Sequence, residues 1–250
     1  MLQFDEIVFG PIRSRRLGSS LGINLLPAKG KFCNFDCVYC ECGWNKDGLN
    51  DRHLPGVDDL REALEAKLSK CIAEGTPIDS ITFSGNGEPT LNPDFAKIVD
   101  VVIEKRDKYY PGAVVSVLSN ATMLGDVNVA AALRKVDNAI LKLDAPFREG
   151  VLAVNRPAGP WELETVLRNM ESFEGKFVLQ TMFLKWDEFD SSKHVAGWMD
   201  IVRRLKPREI MVYTLDRETP QKGLVKFSVE EMTELVRPLM EEGFKIQIKG

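Results

Sequence analysis

The sequence has few of the residues that mark several common protein classes. Its 250 residues include five cysteines and two histidines, His53 and His194, which do not form the closely spaced pair of a zinc finger. No apolar run approaches the roughly 20 residues that span a bilayer. The first residues include Asp5 and Glu6 and lack the apolar stretch of a secretory signal peptide. We therefore expect a cytoplasmic protein whose cysteines stay reduced.

A surplus of positive charge is also missing. The formal net charge is −4, so no overall basic field attracts nucleic acid. Basic residues are dense only near the first cysteines, at Arg13, Arg15, Arg16, Lys29 and Lys31. This group could be an anion-binding or phosphate-binding patch. It could also be a solvated surface, or arginines that neutralise a buried cluster, and these two interpretations are slightly favoured.

Three of the cysteines lie within eight residues, at Cys33, Cys37 and Cys40. A C-x3-C-x2-C loop offers three thiolates. A [4Fe–4S] cluster takes four protein ligands when each of its irons has one, so this loop is one ligand short. One iron then stays open to a substrate or cofactor. A zinc site is the alternative, and Cys42 is a possible fourth ligand, although its spacing from Cys40 is unusual. Cys71 lies on an apolar helical stripe and is expected in the core.

Short β-rich runs alternate with amphipathic helical patterns along the chain. The predicted strands are 22–26, 80–83, 114–118, 139–143, 177–181, 210–213 and 244–248. Predicted helices carry stripes near 60–72, 95–103, 163–170, 195–205 and 232–239. The first stripe ends at Cys71 and Ile72. The last helix begins with a capping box at 228–231, and Pro238 is expected to end or kink it.

This alternation predicts repeated βαβ units and a parallel sheet. About six units are too few for a closed eight-stranded barrel, so we predict an α/β fold, a partial open (β/α)6 barrel, with a flat doubly wound sheet as the alternative. One domain is expected over 1–250, with the cysteine loop at 27–44, the barrel at about 20–215 and a C-terminal helix and strand at about 228–249. The last strand alternates apolar and polar residues and is expected at an edge.

The cysteine run, with Tyr39 just before its last cysteine, resembles the signature of the radical S-adenosylmethionine (SAM) superfamily. The stretch 84–90, Ser-Gly-Asn-Gly-Glu-Pro-Thr, resembles the superfamily's Gly-Gly-Glu-Pro element, with Asn86 inserted. The stretches 9–18, 118–120, 141–144, 155–157 and 214–217 add a resemblance to short bacterial members grouped with the wyosine-synthesising tRNA enzymes. This resemblance covers nearly the whole chain and implies the same partial barrel.

Candidate ligands follow from the residues and from the resemblance together. The cysteines Cys33, Cys37 and Cys40 are expected to hold a [4Fe–4S] cluster. Residues expected at SAM are Tyr39, Ser84, Gly85, Asn86, Gly87, Glu88, Ser119, Asn120, Lys142, Asp144 and Gln180. Several have a second interpretation: the glycines form a turn, Glu88 caps a helix near Asn92, Lys142 pairs with Asp144, and Gln180 is a satisfied core amide. Each of these motifs follows a predicted strand, so they are expected to meet at one rim.

The resemblance implies reductive cleavage of SAM to a 5′-deoxyadenosyl radical, with an electron donor such as flavodoxin or ferredoxin. The substrate is open between a tRNA or nucleotide and a protein or peptide. No cysteine precedes Cys33, so the second cluster of the wyosine enzymes is not expected. The alternatives are a glycyl-radical-type activating enzyme and, from a different class, a non-catalytic iron–sulfur or zinc protein that binds a partner.

Overall fold

The computed structural model describes residues 3–14, 17–47 and 51–250; Arg15 and Arg16 of the basic group lie outside these ranges. The strands are β1 (Val8–Ser14), β2 (Gly18–Ile23), β3 (Ser80–Phe83), β4 (Val114–Ser119), β5 (Asn138–Lys142), β6 (Val178–Met182), β7 (Leu184–Trp186), β8 (Phe189–Asp190), β9 (Glu209–Tyr213), β10 (Val225–Lys226) and β11 (Ile246–Lys249). The helices are α1 (Val57–Ala73), α2 (Phe95–Tyr109), α3 (Val127–Lys135), α4 (Arg148–Val154), α5 (Leu163–Glu171), α6 (Ser191–Leu205) and α7 (Val229–Glu241).

An eight-stranded sheet in the order β1-β2-β3-β4-β5-β6-β9-β11 curls into a half-barrel. From β2 onward neighbouring strands are parallel, and β1 alone pairs antiparallel. This confirms the predicted partial α/β barrel. Among the described strands β11 pairs with β9 alone, at one end of the sheet order, which confirms its edge position. The strands β10, β7 and β8 form a separate small sheet that the sequence pattern did not predict.

The predicted strand at 22–26 lies too late in the chain. β2 ends at Ile23 because the Asn24 side chain accepts a hydrogen bond from the Leu26 amide at 3.3 Å, which turns the chain. Leu25 and Leu26 are still fully buried, so their apolar character reflects the core rather than a strand. The antiparallel β1 and the helices α3 and α4 were also not predicted.

The apolar stripe of α1 was predicted one residue too long, and Pro238 does not end the last helix. Ile72 is 49% exposed while Cys71 is buried, because one residue on a helix turns the side chain by about 100°. Pro238 lies inside α7, which continues to Glu241. Proline removes one amide donor, but the Glu242 amide still donates to the Pro238 carbonyl at 3.0 Å and closes the last turn. The capping box is present between Ser228 and Glu231.

Polar side chains fill the base of the half-barrel. The hydroxyls of Ser20 and Thr82 lie 2.8 Å apart, those of Ser80 and Ser116 lie 3.1 Å apart, and the Asn138 amide donates to Ser116 at 3.0 Å. These residues are neighbours in the sheet register and share one face. The ladder satisfies buried polar groups and ties four strands together.

An apolar layer closes the half-barrel above that ladder. Ile140, Val178 and Met211 form a small cluster of their own, packed with Leu17 and Leu118. Two residues further along each strand, and therefore on the same face, lie Lys142, Gln180 and Tyr213. Lys142, Gln180 and Tyr213 line a cavity at the carboxyl ends of the strands, and so does Leu118, which packs against the apolar layer. Among the described residues, no helix is both long enough and apolar enough to cross a bilayer.

The contrast between two apolar residues of α1 gives a test of this packing. Leu68 is fully buried and Ile72 is half exposed. Leu68→Ala should lower the free energy of unfolding by about 2–5 kcal/mol because it leaves a cavity in the core. Ile72→Ala, the matched control, should change it by no more than about 0.5 kcal/mol. Urea denaturation followed by circular dichroism measures both, and equal losses would contradict the placement of α1.

Candidate active site

The three motif cysteines lie on the loop that follows β2, and all three line one cavity of about 260 Å³. Cys37 is buried, Cys33 and Cys40 are partly exposed, and all five cysteines of the chain are free thiols. Among the described residues, no three His, Cys, Asp or Glu side chains are grouped to hold a single metal ion. Four thiols line the cavity, those of Cys33, Cys37 and Cys40 and also that of Cys42, the possible fourth ligand. Thiolates are the ligands that iron–sulfur clusters take.

Backbone hydrogen bonds hold the cysteine loop on both of its sides. On one side the Phe32 amide donates to the Asn86 carbonyl at 2.8 Å, and the Glu88 amide donates to the Phe32 carbonyl at 3.2 Å. On the other side the loop pairs with 154–158: the Asp36 amide donates to the Asn155 carbonyl at 2.8 Å and the Val38 amide to the Val154 carbonyl at 2.9 Å. The positions of the thiols are thus set by two segments distant in sequence.

The two glycines of the 84–90 stretch allow this close approach. A Cβ on Gly87 would lie 1.9 Å from the Phe32 carbonyl oxygen, and one on Gly85 would lie 2.4 Å from Asn24 Oδ1. Both glycines have positive φ, +144° and +125°. Both glycines line the cavity. The neighbouring protein segments already leave no room for a side chain at either position.

Asn86 and Ser84 lie near the cavity without lining it. The Asn86 side chain is fully buried, accepts from the Phe4 amide at 2.9 Å and donates to the carbonyls of Phe4 and Pro27 at 2.7 and 2.8 Å. Ser84 Oγ donates to the Thr82 carbonyl at 3.5 Å. Contacts of these two residues with a cofactor stay a prediction, and the contact that the structure shows for the Asn86 side chain is with the N-terminal segment.

Glu88 lines the cavity, and its carboxylate is already occupied by protein donors. It caps the short 3-10 helix Pro89–Leu91 and accepts a hydrogen bond from the Thr90 hydroxyl at 2.6 Å. Its other oxygen accepts from the backbone amide of Asn120 at 2.6 Å. Burial raises the pKa of Glu88, and the hydrogen bonds from Asn120 and Thr90 oppose this shift. The capping interpretation is the one observed, and the cap joins the glycine stretch to the end of β4.

Ser119 and Asn120 both line the cavity. The side-chain amide nitrogen of Asn120 donates to Asn34 Oδ1 at 2.7 Å and lies 3.8 Å from Cys33 Sγ. The side-chain oxygen of Asn120 accepts from the Thr122 hydroxyl at 2.7 Å. Ser119 Oγ accepts from the Ala121 amide at 3.1 Å. These contacts position the end of β4 against the cysteine loop.

A buried hydrogen-bond network lies beneath the cavity around Asp144, which itself does not line it. Its carboxylate accepts from the Tyr39 hydroxyl, from the Asn155 amide at 2.7 Å and from the Met182 backbone amide at 2.9 Å. Burial, and then the charge of Asp144, raise the pKa of Tyr39 well above its usual value. The carboxylate therefore fixes the orientation of the tyrosine ring that lines the cavity.

Lys142 is the cationic side chain at the back of the cavity. Its Nζ donates to the Tyr213 hydroxyl at 2.7 Å, lies 3.9 Å from Asp144, and sits about 5 Å from the ring centres of Tyr39 and Tyr213. Burial opposes the charge, but the neighbouring Asp144 raises the pKa of Lys142, so the ammonium is charged. The expected pairing of Lys142 with Asp144 is present as an ion pair.

Gln180 is 4% exposed and lines the cavity. Its Nε2 has no hydrogen-bond partner among the described residues. A buried donor without an acceptor costs about 1–3 kcal/mol, so a satisfied core amide is not what the structure contains. An acceptor atom on a bound ligand would satisfy this amide.

Several cavity residues were not among the predicted ligands. Lys31 is buried, donates to Asp36 at 3.0 Å and to the Gly43 carbonyl at 3.2 Å, and lines the cavity. Burial lowers its pKa, but the nearby thiol groups, Cys40 first, raise it above the usual value. The basic group near the cysteines was the only signal in the sequence that pointed to Lys31.

The segment after β9 covers the cysteine loop. Arg217 forms an ion pair with Glu41 at 2.5 Å, and the Gln221 amide donates to the Val38 carbonyl at 3.2 Å. The stretch 214–217 was noted in the sequence, but nothing local in it predicts this contact across the cavity.

The cysteines differ in acidity because their surroundings differ. Burial raises the pKa of Cys33 and raises that of Cys37 to about 11. A hydrogen bond with Cys42 lowers the pKa of Cys40 to about 6. The same bond raises the pKa of Cys42, whose Sγ also lies 3.5 Å from the Gly85 carbonyl oxygen. Cys42 is therefore the protonated donor of this pair.

Comparison with known proteins gives one family. The model of the radical SAM superfamily matches residues 29–183, more than half of the chain. A UPF0026 protein of Synechocystis sp. is 33% identical over 85% of this chain and 77% of its own length.

Two solved structures share the fold. Streptococcus suis SuiB bound to S-adenosylmethionine superposes with a TM-score of 0.67 over 92% of this chain, at 14% identity. A radical SAM methyltransferase from Sphaerobacter thermophilus superposes with a TM-score of 0.69 over 92% of this chain, also at 14% identity. The chain spans about half of SuiB and 65% of the methyltransferase, and at this identity the likeness shows the fold alone.

The contact at Gly87 predicts a sharp penalty for a methyl group. Gly87→Ala should lower the free energy of unfolding by about 2–3 kcal/mol, because the positive φ and the Phe32 carbonyl both oppose a side chain. Gly112→Ala is the control, since nothing lies within 4 Å of a Cβ there. Chemical denaturation measures both variants, and an unchanged Gly87→Ala would contradict the described approach of the two loops.

The acidity of Cys40 predicts a pH-dependent reaction in the metal-free protein. Iodoacetamide should label Cys40 with a midpoint near pH 6, whereas Cys37 should need a pH near 11, because the thiolate is the nucleophile. Cys42→Ala should move the Cys40 midpoint upward, since it removes the hydrogen-bond donor. Mass spectrometry that assigns the label to each cysteine measures this. An unshifted midpoint in Cys42→Ala would contradict the assigned donor.

Proposed function

We propose that this chain, which belongs to the radical SAM superfamily, binds a [4Fe–4S] cluster on Cys33, Cys37 and Cys40 and uses it to cleave SAM reductively. The chain is a radical SAM enzyme by its family and fold. The observation that carries the finer proposal is the cavity in which the three thiols face the unpartnered amide of Gln180.

The donor set fits such a cluster. Three thiols from one loop would ligate three of its irons, and the fourth iron would stay open to the amine and carboxylate of SAM. When bound, the cluster supplies the electron that cleaves the sulfonium bond, giving methionine and a 5′-deoxyadenosyl radical that takes hydrogen from the substrate. The protein's own contribution is binding, orientation and the exclusion of water.

The cavity residues have distinct roles in this proposal. Gly85 and Gly87 present backbone close to the ligand, and Ser119 and Asn120 offer polar groups from the end of β4. Lys142 offers a half-buried positive charge to a carboxylate, and Gln180 offers a donor that has no partner in the part of the chain that the structure describes. Tyr39 supplies an aromatic wall that Asp144 holds in place. Glu88 acts through the cap that positions Asn120.

The proposal includes a redox-active partner and a reducing compartment. An electron donor such as flavodoxin or ferredoxin would supply the electron, and five free thiols suit the cytoplasm. The substrate is either a tRNA or nucleotide, or a protein or peptide. Binding of tRNA that weakens steeply with salt would select the first class, because phosphate contacts release counterions.

Single cysteine variants test the proposed function. After anaerobic reconstitution with iron and sulfide, the protein should hold about four irons per chain and form 5′-deoxyadenosine when dithionite and SAM are added. Cys37→Ala should lose this product, because it removes a ligand. Cys71→Ala is the control, since Cys71 is buried on α1 away from the cavity.

The outcomes separate the candidate functions. Product formed by wild type and by Cys71→Ala but not by Cys37→Ala supports the proposal. A full cluster and undiminished SAM cleavage in Cys37→Ala would refute the ligand assignment. A cluster without SAM cleavage in wild type would instead favour a non-catalytic iron–sulfur protein.

A further inference from the structure

The stretch Asn155-Arg156-Pro157, noted in the sequence, has a role that SAM binding does not explain. The chain here runs beside the cysteine loop, with an isolated bridge between Pro157 and Phe35 and a 2.9 Å bond from the Ala158 amide to the Asn34 carbonyl. Asn155 is 1% exposed and its side chain points at the loop. The backbone of this segment supports the loop, which leaves the Asn155 side chain to be explained.

The Asn155 amide nitrogen lies between a carboxylate and a motif thiol. Nδ2 is 2.7 Å from Asp144 Oδ2, 3.3 Å from Cys37 Sγ and 3.4 Å from the Tyr39 hydroxyl. An amide group carries two hydrogens. One is donated to the Asp144 carboxylate, and the remaining acceptors within 3.4 Å are the Cys37 sulfur and the Tyr39 hydroxyl oxygen.

Asp144 decides which way this amide points. Its carboxylate accepts three hydrogen bonds, including those from Tyr39 and from the Met182 backbone amide. A flipped Asn155 would place its carbonyl oxygen against a carboxylate oxygen, where no hydrogen is available. The network therefore presents an N–H group, and not an oxygen, to Cys37.

The other two motif thiols have weaker or different partners. Cys33 Sγ accepts from the Phe35 backbone amide at 3.4 Å, and the Asn120 amide lies further away, at 3.8 Å, while donating to Asn34. The side-chain partner of Cys40 is the thiol of Cys42. Among the described side chains, Asn155 makes the shortest N–H···S contact with a motif cysteine.

We propose that Asn155 is a positioning residue that raises the reduction potential of the cluster by donating a hydrogen bond to the Cys37 sulfur. The inference rests on the proposed function and adds a role that family membership does not assign. A donor to a ligating sulfur stabilises negative charge, and reduction adds negative charge, so the bond favours the reduced state. Burial excludes competing water, which strengthens the bond.

The test is a redox titration of the reconstituted protein, followed by electron paramagnetic resonance. Asn155→Ala should lower the equilibrium constant for one-electron reduction about tenfold, which lowers the midpoint potential by about 59 mV. Asn92→Ala is the matched control: Asn92 is equally buried and its amide also donates two bonds, to the Leu25 and Pro55 carbonyls, but none to sulfur. Its midpoint should match wild type.

The readings distinguish this inference from the proposed function. If wild type takes up no cluster, the proposed function fails. If wild type takes it up but Asn155→Ala has the wild-type midpoint, or Asn92→Ala falls equally, the inference is overturned while the proposed function stands. If Asn155→Ala does not bind iron, Asn155→Ser, which fills part of the volume and keeps a hydroxyl, is titrated in its place and judged by the same two criteria.

Discussion

Backbone pairing on both sides of the cysteine loop is the constraint on which the rest of the site depends. A loop that carries three thiols has little regular structure of its own, so its shape comes from its neighbours. Phe32 pairs with Gly87 on one side, and Phe35 pairs with Pro157 on the other. Gly87 follows strand β3, and Pro157 follows helix α4. The arrangement of the thiols therefore depends on where this strand and this helix place the two segments.

Buried charges are balanced across the cavity. Lys31 carries a buried ammonium group and Lys142 a half-buried one, and each has a carboxylate within 4 Å: Asp36 for the first and Asp144 for the second. A buried charge is tolerated only when it is paired and hydrogen-bonded. The Lys142 ammonium also faces two aromatic rings. This balance keeps positive charge beside the thiols without a large unpaired charge in the core.

Local patterns in the sequence predicted the partial barrel, the strand Ser80–Phe83 and the meeting of motifs at the carboxyl ends of the strands. They succeeded because alternation and strand ends are local properties. They gave no sign of contacts that depend on a distant partner. Asn86 looked like part of a ligand loop, yet it binds Phe4. Asp144 was expected at the cofactor, yet it lies beneath the cavity and orients Tyr39. No local spacing announces such contacts, 82 and 105 residues apart.

The apolar layer of Ile140, Val178 and Met211 separates two polar regions of the half-barrel. On one side of it lies the ladder that includes Ser116 and Asn138, and on the other side lie Lys142, Gln180 and Tyr213, which line the cavity. Apolar side chains offer no hydrogen-bond partners, so the layer keeps the hydrogen bonds of the ladder apart from those of the cavity. The polar groups that join the strands and the polar groups that surround the thiols are therefore two separate networks.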